Sequence, residues 1–357
     1  MIDGHNDLPW AMRRHFDGDL DVADLSGSVP EVHTDIPRLR SGGVTGQFWS
    51  VYVPSTLPGP TAVSTTLAQI DFVHRMIERY PDDFVLALSA SDVESAASTG
   101  RIASMLGMEG GHSIDESLSV LRMMFDLGVR YMTLTHNHNV SWADSATDDR
   151  VLGGLNDFGR DVVREMNRIG MIVDLSHVST EVMHQALETS IRPVMFSHSS
   201  ARSLCDVARN VPDDVLGRLS TNGGVCMVAF VADFLSPAFA RWFEESQEMV
   251  VAEGGDPRLS ADVDAVMARR SRTDPPPTVT VHDVAGHIEH VRDVAGIDHV
   301  GIGGDYGGST LMPADLHDVS TYPLLFETLR TRGWSTPDLD RLRRANILRV
   351  MHDNEPS

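Results

Sequence analysis

Near the start of this sequence, His5 and Asp7 offer a ring nitrogen and a carboxylate two positions apart. In an extended strand that spacing puts both on one face. Comparable groups recur at the ends of apolar runs. Glu109 closes Ile102-Ala103-Ser104-Met105-Leu106-Gly107-Met108, His136 closes Tyr131-Met132-Thr133-Leu134-Thr135, and Asp305 follows Gly301-Ile302-Gly303-Gly304. His177 and His198 end Val173-Asp174-Leu175-Ser176 and Val194-Met195-Phe196-Ser197, with matching Ser-His endings. Imidazole and carboxylate together suit zinc or a similar divalent cation. Glu109 would be costly to bury unpaired, and its two oxygens could bridge two cations. His177 and His198 could each give one imidazole to a second cation. His136 reads as another ligand or as a donor that polarises a carbonyl oxygen. Asp305 is suited to take a proton from a metal-bound water and return it to a leaving group.

A lone histidine is ordinarily a packed or surface residue, so the weight lies in the repetition. Eight short apolar runs, at 1–7, 47–53, 102–109, 129–136, 171–177, 193–198, 224–230 and 299–305, alternate with longer amphipathic stretches. Six of the eight finish on a group able to bind a metal or carry a proton. Helices are expected at 66–80, 117–127, 154–169, 180–189, 213–220, 281–295 and 336–351, from apolar residues three and four apart. Such alternation favours a parallel sheet, and eight units favour an α/β fold of the (β/α)8 TIM-barrel type, whose catalytic groups gather at the C-terminal strand ends. Periodicity alone reads much the same for an open doubly wound sheet. The segment 234–280, with Asp274-Pro275-Pro276-Pro277, reads as an insertion or lid within a single domain over 1–352, and 353–357 as a flexible tail.

Composition narrows the partners. The chain has 357 residues, 41% of them hydrophobic, enough for a large core. Its charge, 29 − 51 = −22, disfavours nucleic acid and anionic membrane surfaces but not cations. No stretch approaches the ~18 continuous apolar residues of a membrane span. Nor does a basic and apolar leader precede the first run, so the expectation is a cytoplasmic protein. Cys205 and Cys226 are too few for a disulfide scaffold and are expected to be reduced and packed. His282, His287 and His290 fall on a predicted helix and read as solvated. No phosphate-binding loop, dinucleotide fingerprint or serine elbow is present.

Taken together, His5-x-Asp7, Gly107-Met108-Glu109-Gly110, Leu134-Thr135-His136, Asp174-Leu175-Ser176-His177, Phe196-Ser197-His198-Ser199-Ser200-Ala201 and Gly301-Ile302-Gly303-Gly304-Asp305 resemble the membrane (renal) dipeptidase family of the amidohydrolase superfamily. Gly46-Gln47-Phe48-Trp49-Ser50, Arg209-Asn210-Val211-Pro212-Asp213-Asp214 and Ala345-Asn346-Ile347-Leu348-Arg349-Val350 extend the likeness over nearly the whole chain. The resemblance implies a (β/α)8 barrel holding two zinc ions and hydrolysing dipeptides, including those with a D-residue at the C-terminal position. By position it makes His5 and Asp7 ligands of one zinc, His177 and His198 ligands of the other, and Glu109 the bridge. It makes His136 the partner of the substrate carbonyl, Arg209 the holder of the substrate carboxylate, and Asp305 the acid/base. A metal-bridged hydroxide would attack the peptide carbonyl. Hydrolysis of an N-acyl amino acid or a β-lactam ring is the alternative on the same centre, and homodimerisation is implied by the resemblance alone. The Tyr306-Gly307-Gly308 segment departs from the family, which often has an aromatic residue and then Asp-Gly.

Overall fold

The apolar runs assemble into one parallel sheet. In the computed structural model, which describes residues 1–356, the strands are β1 (Ile2–Asn6), β2 (Gly46–Ser50), β3 (Phe84–Leu86), β4 (Ile102–Glu109), β5 (Val129–Thr133), β6 (Ile172–Asp174), β7 (Met195–Phe196), β8 (Val225–Val228) and β9 (Val300–Ile302). Their order is β1-β2-β4-β5-β6-β7-β8-β9, and every pairing is parallel. The ends meet just past β9, where the Asp305 N–H donates to His5 O at 3.2 Å and the Asp7 N–H to Tyr306 O at 2.8 Å. The result is the α/β barrel expected from the alternation, with its last strand turned back onto its first.

β3 was not anticipated. It pairs with residues 102–104 of β4, and β5 takes over the same edge from Leu106 onward. Three residues are too few to register as a run of their own. The other strands are shorter than the apolar runs that announced them. β5 stops at Thr133, β6 at Asp174, β7 at Phe196 and β9 at Ile302. His136, His177, His198 and Asp305 therefore stand two or three residues beyond their strands, in the loops above the barrel. Asp7 is likewise no strand residue. It is the N-cap of the helix Leu8–Phe16, at φ −91° and ψ 26°, so the same-face argument for His5 and Asp7 does not describe how they meet.

Two layers of side chains hold the barrel. Ile2, Phe48, Met105, Tyr131, Ile172, Met195, Val225 and Met227 form one buried cluster. Their neighbours along the chain, among them Trp49, Leu106, Met132, Val173, Phe196 and Cys226, belong to a second cluster that continues into the helices. This alternation is what strands covered on both faces require. Both cysteines are buried and unpaired.

The helices at Thr180–Thr189 and Val281–Ala295 have the expected bounds. The one expected at 66–80 begins earlier, at Gly59, and Ser179 caps its helix by accepting from the Val182 N–H. Residues 234–280 fold largely as the helices Ala232–Leu235, Pro237–Ala252 and Ser260–Arg270. The helix expected at 336–351 is interrupted by a π-helical turn over Arg341–Ala345 and runs on to Asn354. The buried Asn354 donates to Pro193 O at 2.9 Å, and Glu355 accepts from the Ala90 N–H at 2.7 Å. These bonds tie down residues assigned to a flexible tail; Ser357 lies outside the described residues. Among the described residues, no helix is long and apolar enough to cross a membrane.

Candidate metal centre

All eight predicted site residues gather at the C-terminal mouth of the barrel. His5 is fully buried on β1, Glu109 is the last residue of β4, and the rest come from the loops just above. The two Glu109 oxygens face different neighbours. Oε2 lies 3.5 Å from His5 Nε2 and accepts from the Ser50 hydroxyl at 3.0 Å. Oε1 lies 3.0 Å from His177 Nε2, 3.4 Å from His198 Nε2 and 3.8 Å from His136 Nε2. Asp7 Oδ2 approaches His5 Nε2 at 3.2 Å. Three donor sets have ligand atoms close enough for one ion: His5, Glu109 and His198; Glu109, His136 and His177; His5, Asp7 and Asp305.

The electrostatics fit cations in that space. Burial works against charge on Glu109, yet the imidazoles of His5, His177 and His198 around it hold its carboxyl well below the usual range. Burial, with Arg209 nearby, keeps His177 and His198 neutral far below the ordinary imidazole value, which leaves lone pairs to offer. His177 Nε2 and His198 Nε2 face each other at 2.9 Å. His5 Nε2 and Asp7 Oδ1 are buried without hydrogen-bond partners among the described residues. Such atoms are expensive to bury unless something positive lies between them.

A further set of groups orients these donors. Ser197 Oγ donates to Asp174 Oδ2 at 2.6 Å and lies 2.8 Å from His198 Nδ1. The proton on Nδ1 then points at Ser197, and Nε2 is left to face Glu109. Asp174 also accepts from the Thr133 hydroxyl and from the Ser176 and Ser197 N–H groups. His5 Nδ1 meets the Tyr131 hydroxyl at 2.7 Å. Gly107 makes room for that contact, since a Cβ there would overlap the Tyr131 ring. We expect Asp174→Asn to lower metal affinity by about 10–100-fold, the usual cost of losing such a partner. Competition against a chromogenic chelator measures it, and unchanged affinity would remove Asp174 from this role.

Nothing in the sequence alone assigns a role to Tyr131, Asp174, Ser197 or Ser50. Asp174 carried a usable signal, a carboxylate inside an apolar strand three residues before a histidine. Tyr131 carried none beyond its place in an apolar run. His287 is a correction: it is 1% exposed rather than solvated, while His290 pairs with Asp213 at 2.8 Å.

His136, Arg209 and Asp305 complete the mouth. Burial drives the His136 pKa down to about 3, so its ring is neutral. Arg209 is buried with its guanidinium 3.4 Å from both Ser199 Oγ and His198 O, and the Phe234 ring lies 5.0 Å away. Among the described residues, no carboxylate comes within ion-pairing distance of it. Burial, reinforced by the Asp7 and Glu109 carboxylates, raises the Asp305 carboxyl well above its usual range. His177 (φ 67°) and Asp305 (φ 62°) both hold a left-handed backbone that non-glycine residues seldom adopt. Strain of this kind costs about 1–3 kcal/mol and gathers at functional sites.

A parallel barrel whose mouth gathers buried imidazoles and carboxylates is an architecture suited to holding metal ions. The chain belongs to the membrane dipeptidase family, peptidase family M19, whose profile matches residues 1–356. Dipeptidase 3 of Rattus norvegicus is 41% identical over 99% of this chain and 65% of its own length, so the chain spans just under two thirds of that relative. Among solved structures, the probable dipeptidase PvdM from Pseudomonas aeruginosa is 22% identical, covers 99% of this chain and 95% of its own, and superposes with a TM-score of 0.87. A Rhodobacter sphaeroides metallo peptidase, solved with a phosphinate mimic of the dipeptide L-Ala-D-Ala, is 23% identical over 99% of this chain and 98% of its own, with a TM-score of 0.80. These two likenesses establish the fold.

Proposed function

We propose that this protein is a dipeptidase that holds two divalent cations, zinc by its donor set, and acts on dipeptides including L-Xaa-D-Xaa. The observation that carries this reading is the division of Glu109, one oxygen toward His5 and the other toward His177 and His198. His5 and Asp7 would hold one ion, His177 and His198 the other, and Glu109 both. When bound, the ions supply an activated water or hydroxide and a Lewis acid for the peptide carbonyl.

The chain's own groups do the rest. Arg209, a buried cation without a carboxylate partner, takes the free C-terminal carboxylate of the substrate in a two-pronged grip. That grip sets the distance from the terminus to the bond that is cut, which suits a dipeptide. Neutral His136 donates a ring N–H toward the carbonyl oxygen as charge develops there. Asp305 takes up the proton that the attacking water releases and passes it to the departing amine.

The test is a panel of L-Xaa-L-Xaa and L-Xaa-D-Xaa dipeptides with N-acyl amino acids and a β-lactam alongside, run on zinc-loaded protein. Turnover of dipeptides above the others is expected; turnover of the acyl amino acids or the lactam alone would replace the reading. Arg209→Ala is expected to cost about 2–5 kcal/mol in kcat/KM on substrates with a free carboxylate, the usual loss when a buried charge partner goes. Wild-type kinetics in that variant would reject the grip.

A further inference from the structure

The Arg209 guanidinium lies between two walls. One is the loop after β7, which supplies His198 O and Ser199 Oγ; the other is the short helix Ala232–Leu235, which supplies the Phe234 ring. Neither wall is part of the sheet at this point. Beside the Cys205 thiol, which donates to Asp233 O at 3.3 Å, two side chains join them on successive residues of each. Asn210 accepts from the Ser200 N–H at 3.1 Å and donates to Phe234 O at 2.7 Å. His287 accepts from the Ala201 N–H at 3.0 Å through Nδ1 and pairs with Leu235 O at 3.1 Å through Nε2.

The carbonyls of Phe234 and Leu235 are left over at the end of their helix, where no intrahelical partner exists. The N–H groups of Ser200 and Ala201 lie in a buried loop. Each orphan finds its partner across the gap, so one amide and one imidazole help to set the separation of the walls. A carbonyl at one nitrogen and an N–H at the other permit only the tautomer protonated at Nε2. Burial keeps the ring neutral by lowering its pKa to about 4.

We infer that His287, on the helix Val281–Ala295 and outside the metal mouth, is a positioning residue that, with Asn210, sets the geometry of the carboxylate grip of Arg209. The inference rests on the reading of Arg209 given above. His287 touches neither ion nor substrate. It holds the Ser199 wall and the Phe234 wall at the spacing in which the guanidinium presents both prongs, so it governs selection for a free carboxylate rather than the rate of bond cleavage.

The experiment compares a dipeptide with the same dipeptide amidated at its C-terminus, on zinc-loaded wild type, Arg209→Ala, His287→Asn and His287→Gln, with thermal melts alongside. The side chain of His287→Asn can still meet the Ala201 N–H but falls short of Leu235 O. That of His287→Gln reaches Leu235 O and serves Ala201 less well. Expected is a rise of at least tenfold in KM for the free acid in His287→Asn and of at least threefold in His287→Gln. In both, kcat stays within threefold and the amide is cut as by wild type. Where amide turnover is below detection, the split between KM and kcat for the acid decides, and where His287→Asn does not fold, His287→Gln decides. Unchanged KM for the acid, or parallel losses on both substrates tracking the melts, would overturn the inference. Arg209→Ala that still prefers the acid would instead reject the grip, and the inference with it. Arg209→Ala that loses the preference while both His287 variants keep it would reject the positioning role alone.

Discussion

Asp305→Asn is expected to lower kcat by about 10²–10⁴-fold, the contribution of one well-placed proton carrier, while leaving the bound cations in place. Asn keeps the size and the hydrogen-bonding shape of the side chain. It is also among the few non-glycine residues that tolerate the φ of 62° held here. What it lacks is a proton it can give up and take back. Metal content by mass spectrometry, measured beside kcat, separates the readings. Loss of one cation would make Asp305 a ligand, which its place beside His5 and Asp7 also permits. Full turnover would end its role altogether.

Removing the cations is expected to abolish turnover and to loosen the fold. A ligand present at about 1,000 times its dissociation constant stabilises the native state by about 4 kcal/mol. At an unfolding entropy of about 2.1 cal/mol/K per residue, a chain of this length then melts about 5 °C lower after chelation. Glu109→Gln should be inactive as well, and its melting temperature should no longer respond to the chelator. The reason is local: in wild type the carboxylate brings negative charge to three imidazole nitrogens at 3.0–3.8 Å and a fourth at 3.5 Å. A neutral amide there cannot hold two cations between them. A chelator that shifts both proteins equally would show that the ions lie elsewhere.

The barrel was legible because its strands are buried on both faces and its helices on one, which writes two distinct periods into the chain. The mouth was legible because imidazole and carboxylate groups are unusual at the end of an apolar run. Boundaries were not, since an apolar run continues into the loop as long as the loop is covered. Thus His177 and His198 sit beyond β6 and β7 although Leu175 and Ser197 are as buried as strand residues. Local periodicity also could not show that Asp7 reaches His5 from a helix N-cap, or that His287 crosses to Ala201, 86 positions away in sequence. Those placements depend on which elements pack together, and no window of a dozen residues contains that information. Tyr131 is the clearest case: its contact with His5 depends on the missing side chain of Gly107 on the neighbouring strand.

The join between the first and last strands lies inside the candidate metal centre. Asp305 N–H reaches His5 O, Asp7 N–H reaches Tyr306 O, and Gly304 N–H reaches Asp3 Oδ1. During synthesis, a chain that has emerged as far as β8 carries all five proposed ligands yet lacks Asp305 and the segment that seats Asp7. If the proposed roles hold, competence arrives only with the segment beyond residue 300, and a ribosome-bound fragment stopping short of it is expected to be inert however well it is folded.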